Sequence, residues 1–80
     1  MHILIIDDEA AIRQILSALV SRAGYSVDLA TTVAEATAKL VRGDVDVALC
    51  DVRLPDGDGI ELVRAFKTAG AAIDTQFIMV

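Results

Sequence analysis

The segment ALCDVRLPDGDG, residues 48–59, joins an apolar run to a turn through a single aspartate, Asp51. The apolar residues before Asp51 indicate a buried strand, and the Pro-Asp-Gly-Asp-Gly sequence after it indicates a tight turn. Only one other apolar run ends in this way: HILIID, residues 2–7, closes on an aspartate and is followed by Asp8. A carboxylate at the end of a buried strand has no structural partner visible in the sequence. Both strand ends are therefore candidate functional positions.

The rest of the chain alternates between strand and helix patterns. Between the first two strands, apolar residues recur at the 3.6-residue spacing of an amphipathic helix. A capping box, Thr32-Val-Ala-Glu35, predicts a second helix to about Arg42, and Asp58 is a plausible cap for a third. The predicted strands are residues 2–7, 25–30, 45–51 and 75–80. Helical connections between buried strands require parallel pairing and right-handed crossovers, so the predicted fold class is α/β with an open parallel sheet.

Length and composition exclude several classes of protein. The chain has 80 residues, which limits it to one domain, and its net charge is −5. We expect no direct contact with nucleic acid because the sequence contains no basic patch. No apolar run approaches the length of a membrane span, and we expect no signal peptide because acids occur from residue 7 onwards. The single cysteine, Cys50, excludes an internal disulfide and indicates a reducing, cytoplasmic compartment.

The acids at the strand ends suggest a cation site. Ligands of open parallel sheets bind outside the carboxyl ends of the strands. If the first and third strands are neighbours, Asp7, Asp8 and Asp51 meet at one edge. Each like-charged pair would then repel by roughly 3 kcal/mol at about 5 Å. Because all the ligands are hard oxygens, the cluster favours Mg²⁺ or Mn²⁺. A carboxylate beside such an ion can act as a nucleophile and form an acyl phosphate, a role that suits Asp51.

Structural roles compete with these functional ones. Asp7 or Asp8 could be the N-cap of the first helix. Asp58 is better explained as a cap, and Asp56 as a turn residue. Cys50 points away from Asp51 in a strand and is predicted to lie in the core. Asp51 has the weakest structural alternative of these acids, because no local cap or ion pair accounts for it.

The motifs IIDDE, at the end of the first strand, and LCDVRLPDGDGIEL, around the third, together resemble the receiver domain of two-component response regulators. The resemblance implies a flavodoxin-like (CheY-like) sheet in which the first and third strands are neighbours. It implies that Asp51 accepts a phosphoryl group from a sensor histidine kinase or a phosphotransfer domain. It further implies that Asp7, Asp8 and the backbone carbonyl of Arg53 hold Mg²⁺ with Asp51. Pro55 and Gly59 would shape the loop that follows.

The chain departs from the family pattern at its end. Residues 1–80 match the N-terminal two thirds of a receiver domain, so we expect an incomplete sheet of order 2-1-3-4 without the fifth strand and last two helices. The resemblance places the switch Ser or Thr after the fourth strand and the phosphate-binding Lys after the fifth, so we expect neither within residues 1–80. Lys39 and Lys67 fall within helices and cannot replace a lysine at a strand end. We therefore expect impaired signalling, and self-association through the apolar fourth strand, residues 75–80, or through the sheet face that the missing helices would cover.

Three functions remain open at this point. The first is a phosphoacceptor module, which is not an enzyme in the ordinary sense. The second is a Mg²⁺-dependent phosphohydrolase of the haloacid-dehalogenase type. Such enzymes place Asp-x-Asp and Thr at a strand end, whereas this chain has IIDDEAA. The third is a structural fragment that does not signal.

Overall fold

A computed structural model describes all residues 1–80 and contains three helices, four parallel strands and a short hairpin. The parallel strands are β1 (His2–Ile6), β2 (Ser26–Ala30), β3 (Val47–Cys50) and β6 (Gln76–Met79). The hairpin consists of β4 (Arg53–Leu54) and β5 (Gly57–Asp58), and the helices are α1 (Ala10–Arg22), α2 (Val33–Leu40) and α3 (Gly59–Ala69). Every predicted strand and helix is present. None of the helices combines the length and the apolar character needed to cross a bilayer.

The four long strands form one parallel sheet of order β2-β1-β3-β6. Since β6 is the fourth strand predicted from the sequence, the expected order 2-1-3-4 is confirmed. In the register of the sheet, Ile6 at the end of β1 lies between Ala30 of β2 and Cys50 of β3. The residues that follow Ile6 and Cys50 therefore emerge side by side at the carboxyl edge. The β4–β5 hairpin was not predicted, because the sequence indicated only a turn there.

The two faces of the sheet are covered unequally. On one face, α2 and α3 enclose a core that includes Leu4, Ile6, Leu40 and Phe66. On the other face Ile5 is fully buried, yet α1 contributes no fully buried residue. The apolar stripe of α1 is therefore only partly covered: Ile12, Leu16 and Val20 are half-buried, while Ile15 and Leu19 are exposed.

Side chains cap two of the three helices. Thr32 accepts a hydrogen bond from the Glu35 N–H at 3.1 Å, as the capping box predicts. The reciprocal bond is different, because the Glu35 carboxylate accepts from the N–H of Thr31 at 3.2 Å rather than from Thr32. Asp58 accepts from the Ile60 N–H at 2.7 Å and is the N-cap of α3, as predicted.

Candidate metal centre

The acids that end β1 and β3 lie together at the carboxyl edge of the sheet. The N–H of Asp51 donates to the carbonyl of Ile6 at 2.9 Å, which extends the β1–β3 pairing one residue past β3. One carboxylate oxygen from each of Asp7, Asp8 and Asp51 lies within 4.8 Å of those of the other two. The juxtaposition expected from parallel strand ends is therefore present in the fold.

Asp7 is the most rigidly held of the three acids, with 6% of its surface exposed. Its N–H donates to Ala30, its carboxylate accepts from the Glu9 N–H at 2.9 Å, and its carbonyl accepts from Arg13 Nη1 at 2.9 Å. The N-cap of α1 is Glu9, which makes no side-chain capping bond, while Asp8 is exposed. The alternative in which Asp7 or Asp8 is the N-cap is therefore wrong. The Asp7 carboxylate accepts a hydrogen bond from the N–H of Glu9, the cap residue itself, and not from an N–H within α1.

Gly59 fixes the end of β3 against the start of α3. Its N–H donates to the carbonyl of Val52 at 2.7 Å. A Cβ at position 59 would overlap the carbonyl oxygen of Asp51 and would lie 2.9 Å from Cys50 Sγ. Only glycine permits this approach, because any side chain would displace the backbone that carries Asp51.

Arg53 is exposed and is the first residue of β4, where it pairs with Asp58. Antiparallel strands alternate hydrogen-bonded and non-hydrogen-bonded pairs. The bond between Gly59 and Val52 makes their pair hydrogen-bonded, so the next pair, Arg53 with Asp58, is of the other kind. The hairpin therefore leaves the carbonyl of Arg53 free for another partner. The role of that carbonyl as a metal ligand stays a prediction.

The side chains at this edge offer hard oxygen ligands. Burial raises the pKa of the neighbouring Cys50 thiol to about 11, and the charges of Asp51, Asp58 and Asp7 act in the same direction. The thiol is thus protonated at neutral pH, and Cys50 lies in the core rather than among the three grouped acids. Oxygens bound to Mg²⁺ at about 2.1 Å lie at most about 4.2 Å apart. A small side-chain rotation or a bridging water would close the 4.8 Å spread of the carboxylates, so the residues fit a hard divalent cation.

One contact near this edge could not be predicted from the sequence. Asp56 lies at the tip of the β4–β5 hairpin, as a turn residue should, but its carboxylate also accepts hydrogen bonds from the first turn of α2. The N–H groups of Val33 and Ala34 donate to it at 2.7 and 3.1 Å. The bond from Val33 is the main cause that lowers the pKa of Asp56 below its ordinary value. No local signal could have revealed this contact, because the partners are more than 20 residues apart along the chain.

Comparison with known proteins identifies the family. The family model for the response regulator receiver domain matches residues 3–80. The chain is 40% identical over 65 residues to the transcriptional regulatory protein ResD of Bacillus subtilis, covering 81% of this chain and 27% of ResD. It is 39% identical over 77 residues to the phosphate regulon transcriptional regulatory protein PhoB of Pseudomonas aeruginosa, covering 96% of this chain and 34% of PhoB. The chain thus spans about a third or less of these relatives.

Solved structures agree with the sequence comparison. The chemotaxis response regulator CheY4 of Vibrio cholerae superposes with a TM-score of 0.89 and 35% identity, over 98% of this chain and 65% of that one. The response regulator TrrA of Thermotoga maritima, solved in complex with Mg²⁺ and BeF, gives a TM-score of 0.87 and 29% identity, over 98% and 66% of the two chains. With its strand order, its acidic edge and these matches, the chain belongs to the family of response regulator receiver domains.

Proposed function

We propose that the chain is a phosphoacceptor module in which Asp51 receives a phosphoryl group from a sensor histidine kinase or a phosphotransfer domain, with Mg²⁺ or Mn²⁺ as cofactor. The observation that carries the proposal is the convergence of Asp7, Asp8 and Asp51 within 4.8 Å at the carboxyl edge of β1 and β3. These three carboxylates, with the free carbonyl of Arg53, would hold the cation. The solved complex of TrrA with Mg²⁺ and BeF supports the choice of metal.

Phosphoryl transfer to Asp51 needs a nucleophile and a positive charge that offsets the negative charge of the phosphoryl group and the carboxylates. A carboxylate oxygen of Asp51 attacks phosphorus, the P–N bond of the donor phosphohistidine breaks, and its electron pair stays on the imidazole nitrogen, which takes a proton from water. The product on Asp51 is an acyl phosphate. When bound, the divalent cation supplies positive charge to the transferring phosphoryl group. The hydrogen bonds that fix Asp7 pre-position one ligand of that cation.

Incubation with acetyl phosphate and Mg²⁺, followed by intact-mass measurement, tests the proposal. We expect the chain to gain one phosphoryl group in a Mg²⁺-dependent manner and Asp51→Asn to gain none. Phosphorylation of that variant would refute Asp51 as the acceptor. Multiple turnover of a phosphomonoester would instead support the phosphohydrolase. A wild-type chain that gains no phosphoryl group would support the structural fragment.

We also propose that the isolated 80-residue chain associates with a second copy through β6. This strand pairs only with β3, so its other edge presents free N–H and C=O groups. Ile78 and Val80 are 47% and 59% exposed beside that edge. Two copies related by a twofold axis would pair these strands antiparallel. Light scattering over a concentration series should show a dimer or larger species, and a compact monomer at every concentration would contradict the proposal.

A further inference from the structure

The β4–β5 hairpin is attached to the rest of the domain at both ends. At its base, the bond from Gly59 to Val52 continues the antiparallel pairing. At its tip, the Asp56 carboxylate accepts from two N–H groups of α2, one oxygen bonding Val33 and the other Ala34. A two-stranded hairpin this short is not stable in water without external contacts. Its orientation therefore depends on these two attachments.

Packing reinforces the attachment at the tip. A Cβ added at Gly57, next to Asp56, would lie 3.0 Å from Val33 Cγ2, so the hairpin backbone lies directly against the first residue of α2. The far end of α2 is anchored to the sheet: Lys39 and, at 3.0 Å, Arg42 donate to the carboxylate of Asp28 on β2. The helix is thus held to β2 near its C-terminus and holds the hairpin at its N-terminus.

The hairpin that these attachments hold follows the phosphoacceptor position Asp51 closely in the chain. The hairpin begins two residues after Asp51, and its first residue is Arg53, whose carbonyl the hairpin leaves free. A shift of the tip would rotate the short strand that carries this carbonyl. Asp56 reaches α2 across the structure, whereas Thr32 caps the same helix locally, through Glu35, and makes no hydrogen bond to the hairpin.

We propose that Asp56 is a positioning residue for the cation site, which links α2 to the hairpin and so orients the carbonyl of Arg53. This inference rests on the proposed function, because it assumes that the carbonyl contributes to a site for Mg²⁺. Residues that orient metal ligands from outside the first coordination sphere typically change metal affinity by about 10-fold or more when replaced.

Calorimetric titration of Mg²⁺ into the wild-type chain, Asp56→Ala and Thr32→Ala tests the inference. Both variants remove a cap from α2, and only Asp56→Ala releases the hairpin. We expect the Kd for Mg²⁺ to rise by about 10-fold in Asp56→Ala and to stay close to wild type in Thr32→Ala. The conservative variant Asp56→Asn retains one acceptor oxygen and should lie between wild type and Asp56→Ala. Equal changes in Asp56→Ala and Thr32→Ala, or no change in either, would overturn the inference.

Amide hydrogen exchange provides a readout that does not depend on the metal. Leu54 pairs with Gly57 beside the tip, and this pair is hydrogen-bonded because the pair before it, Arg53 with Asp58, is not. Asp56→Ala should therefore accelerate the exchange of hairpin amides, above all that of Leu54, while Thr32→Ala should leave them unchanged. If the wild-type chain binds no Mg²⁺, the proposed function fails, and exchange still decides whether Asp56 positions the hairpin. Unaltered exchange at Leu54 in Asp56→Ala would refute the positioning role.

Discussion

Neutralising Asp51 should stabilise the metal-free protein. Its carboxylate lies within 4.8 Å of those of Asp7 and Asp8, and at this distance a pair of unit charges repels by about 0.9 kcal/mol in water and about 3.5 kcal/mol at an effective dielectric of 20. Asp51→Asn removes both repulsions. It retains the side-chain shape and leaves the backbone bond to Ile6 in place.

The environments of the two neighbours set the size of the effect. Asp7 is buried and Asp8 is exposed, so solvent screens the second repulsion much more strongly than the first. We therefore expect Asp51→Asn to raise the free energy of unfolding by about 1–3 kcal/mol without divalent ions. For a domain of this size, each kcal/mol raises Tm by about 4–8 °C.

Urea and thermal unfolding, in chelator and in excess Mg²⁺, provide the assay. Asp74→Asn is the matched control, because it removes one charge from an exposed residue just before β6, at the opposite edge of the sheet. We expect it to change stability by less than about 0.5 kcal/mol. At 100 times its Kd, Mg²⁺ should stabilise the wild-type protein by about 2.7 kcal/mol and Asp51→Asn by less.

Two results would refute this reasoning. If Asp51→Asn destabilises the metal-free protein, the carboxylates do not repel one another as their spacing requires. If Mg²⁺ stabilises Asp51→Asn and the wild-type protein equally, Asp51 contributes nothing to cation binding.

Three further outcomes are expected elsewhere in the domain. Gly59→Ala should destabilise by about 1–3 kcal/mol in urea unfolding, because its Cβ would overlap a backbone carbonyl. Gly57→Ala should cost less, since it meets only a side chain, and equal losses would contradict the packing. The pKa of Asp28 is lowered from 3.8 to about 2, mainly by the hydrogen bond from Lys39. The ionised Asp28 therefore contributes its full stabilisation above about pH 4, and this stabilisation is lost as the pH falls towards 2. Asp28→Asn should therefore lose about 1 kcal/mol at pH 7, after allowance for solvent screening, and show a shallower loss below pH 4. Cys50, with a pKa of about 11, should react with a thiol reagent at pH 8 about 100-fold more slowly in the native than in the unfolded protein, and equal rates would refute its burial.

The sequence predicts the parts of the site that follow from periodic elements. Apolar runs locate β1 and β3. Because open parallel sheets bind ligands at the carboxyl edge of their strands, Asp7 and Asp51 are then predicted to lie at one site. The β4–β5 hairpin could not be predicted in this way, because strands of two residues are too short to show a hydrophobic period. The hydrogen bonds between Asp56 and α2 could not be predicted either, because only the folded chain brings those residues into contact.

The same limit applies to the helix ends. Thr32 and Asp58 could be predicted as caps because their partners lie two or three residues away. The cap of α1 could not be predicted. The bond from the Asp7 N–H to the Ala30 carbonyl holds Asp7 in the sheet, where its carboxylate accepts from the N–H of Glu9. Tertiary position therefore decides which acid caps and which remains available to a cation.

Paramagnetic broadening by Mn²⁺ in the amide NMR spectrum of the 80-residue chain tests the central claim most directly. Substoichiometric Mn²⁺ should broaden the signals of residues 7–9 and 51–53, at the carboxyl edge, and excess Mg²⁺ should restore them. The signals of His2 and Asp46, at the amino edge, should stay sharp. Broadening centred away from Asp7, Asp8 and Asp51, or spread evenly over the acidic surface, would contradict a single cation site formed by the ends of β1 and β3.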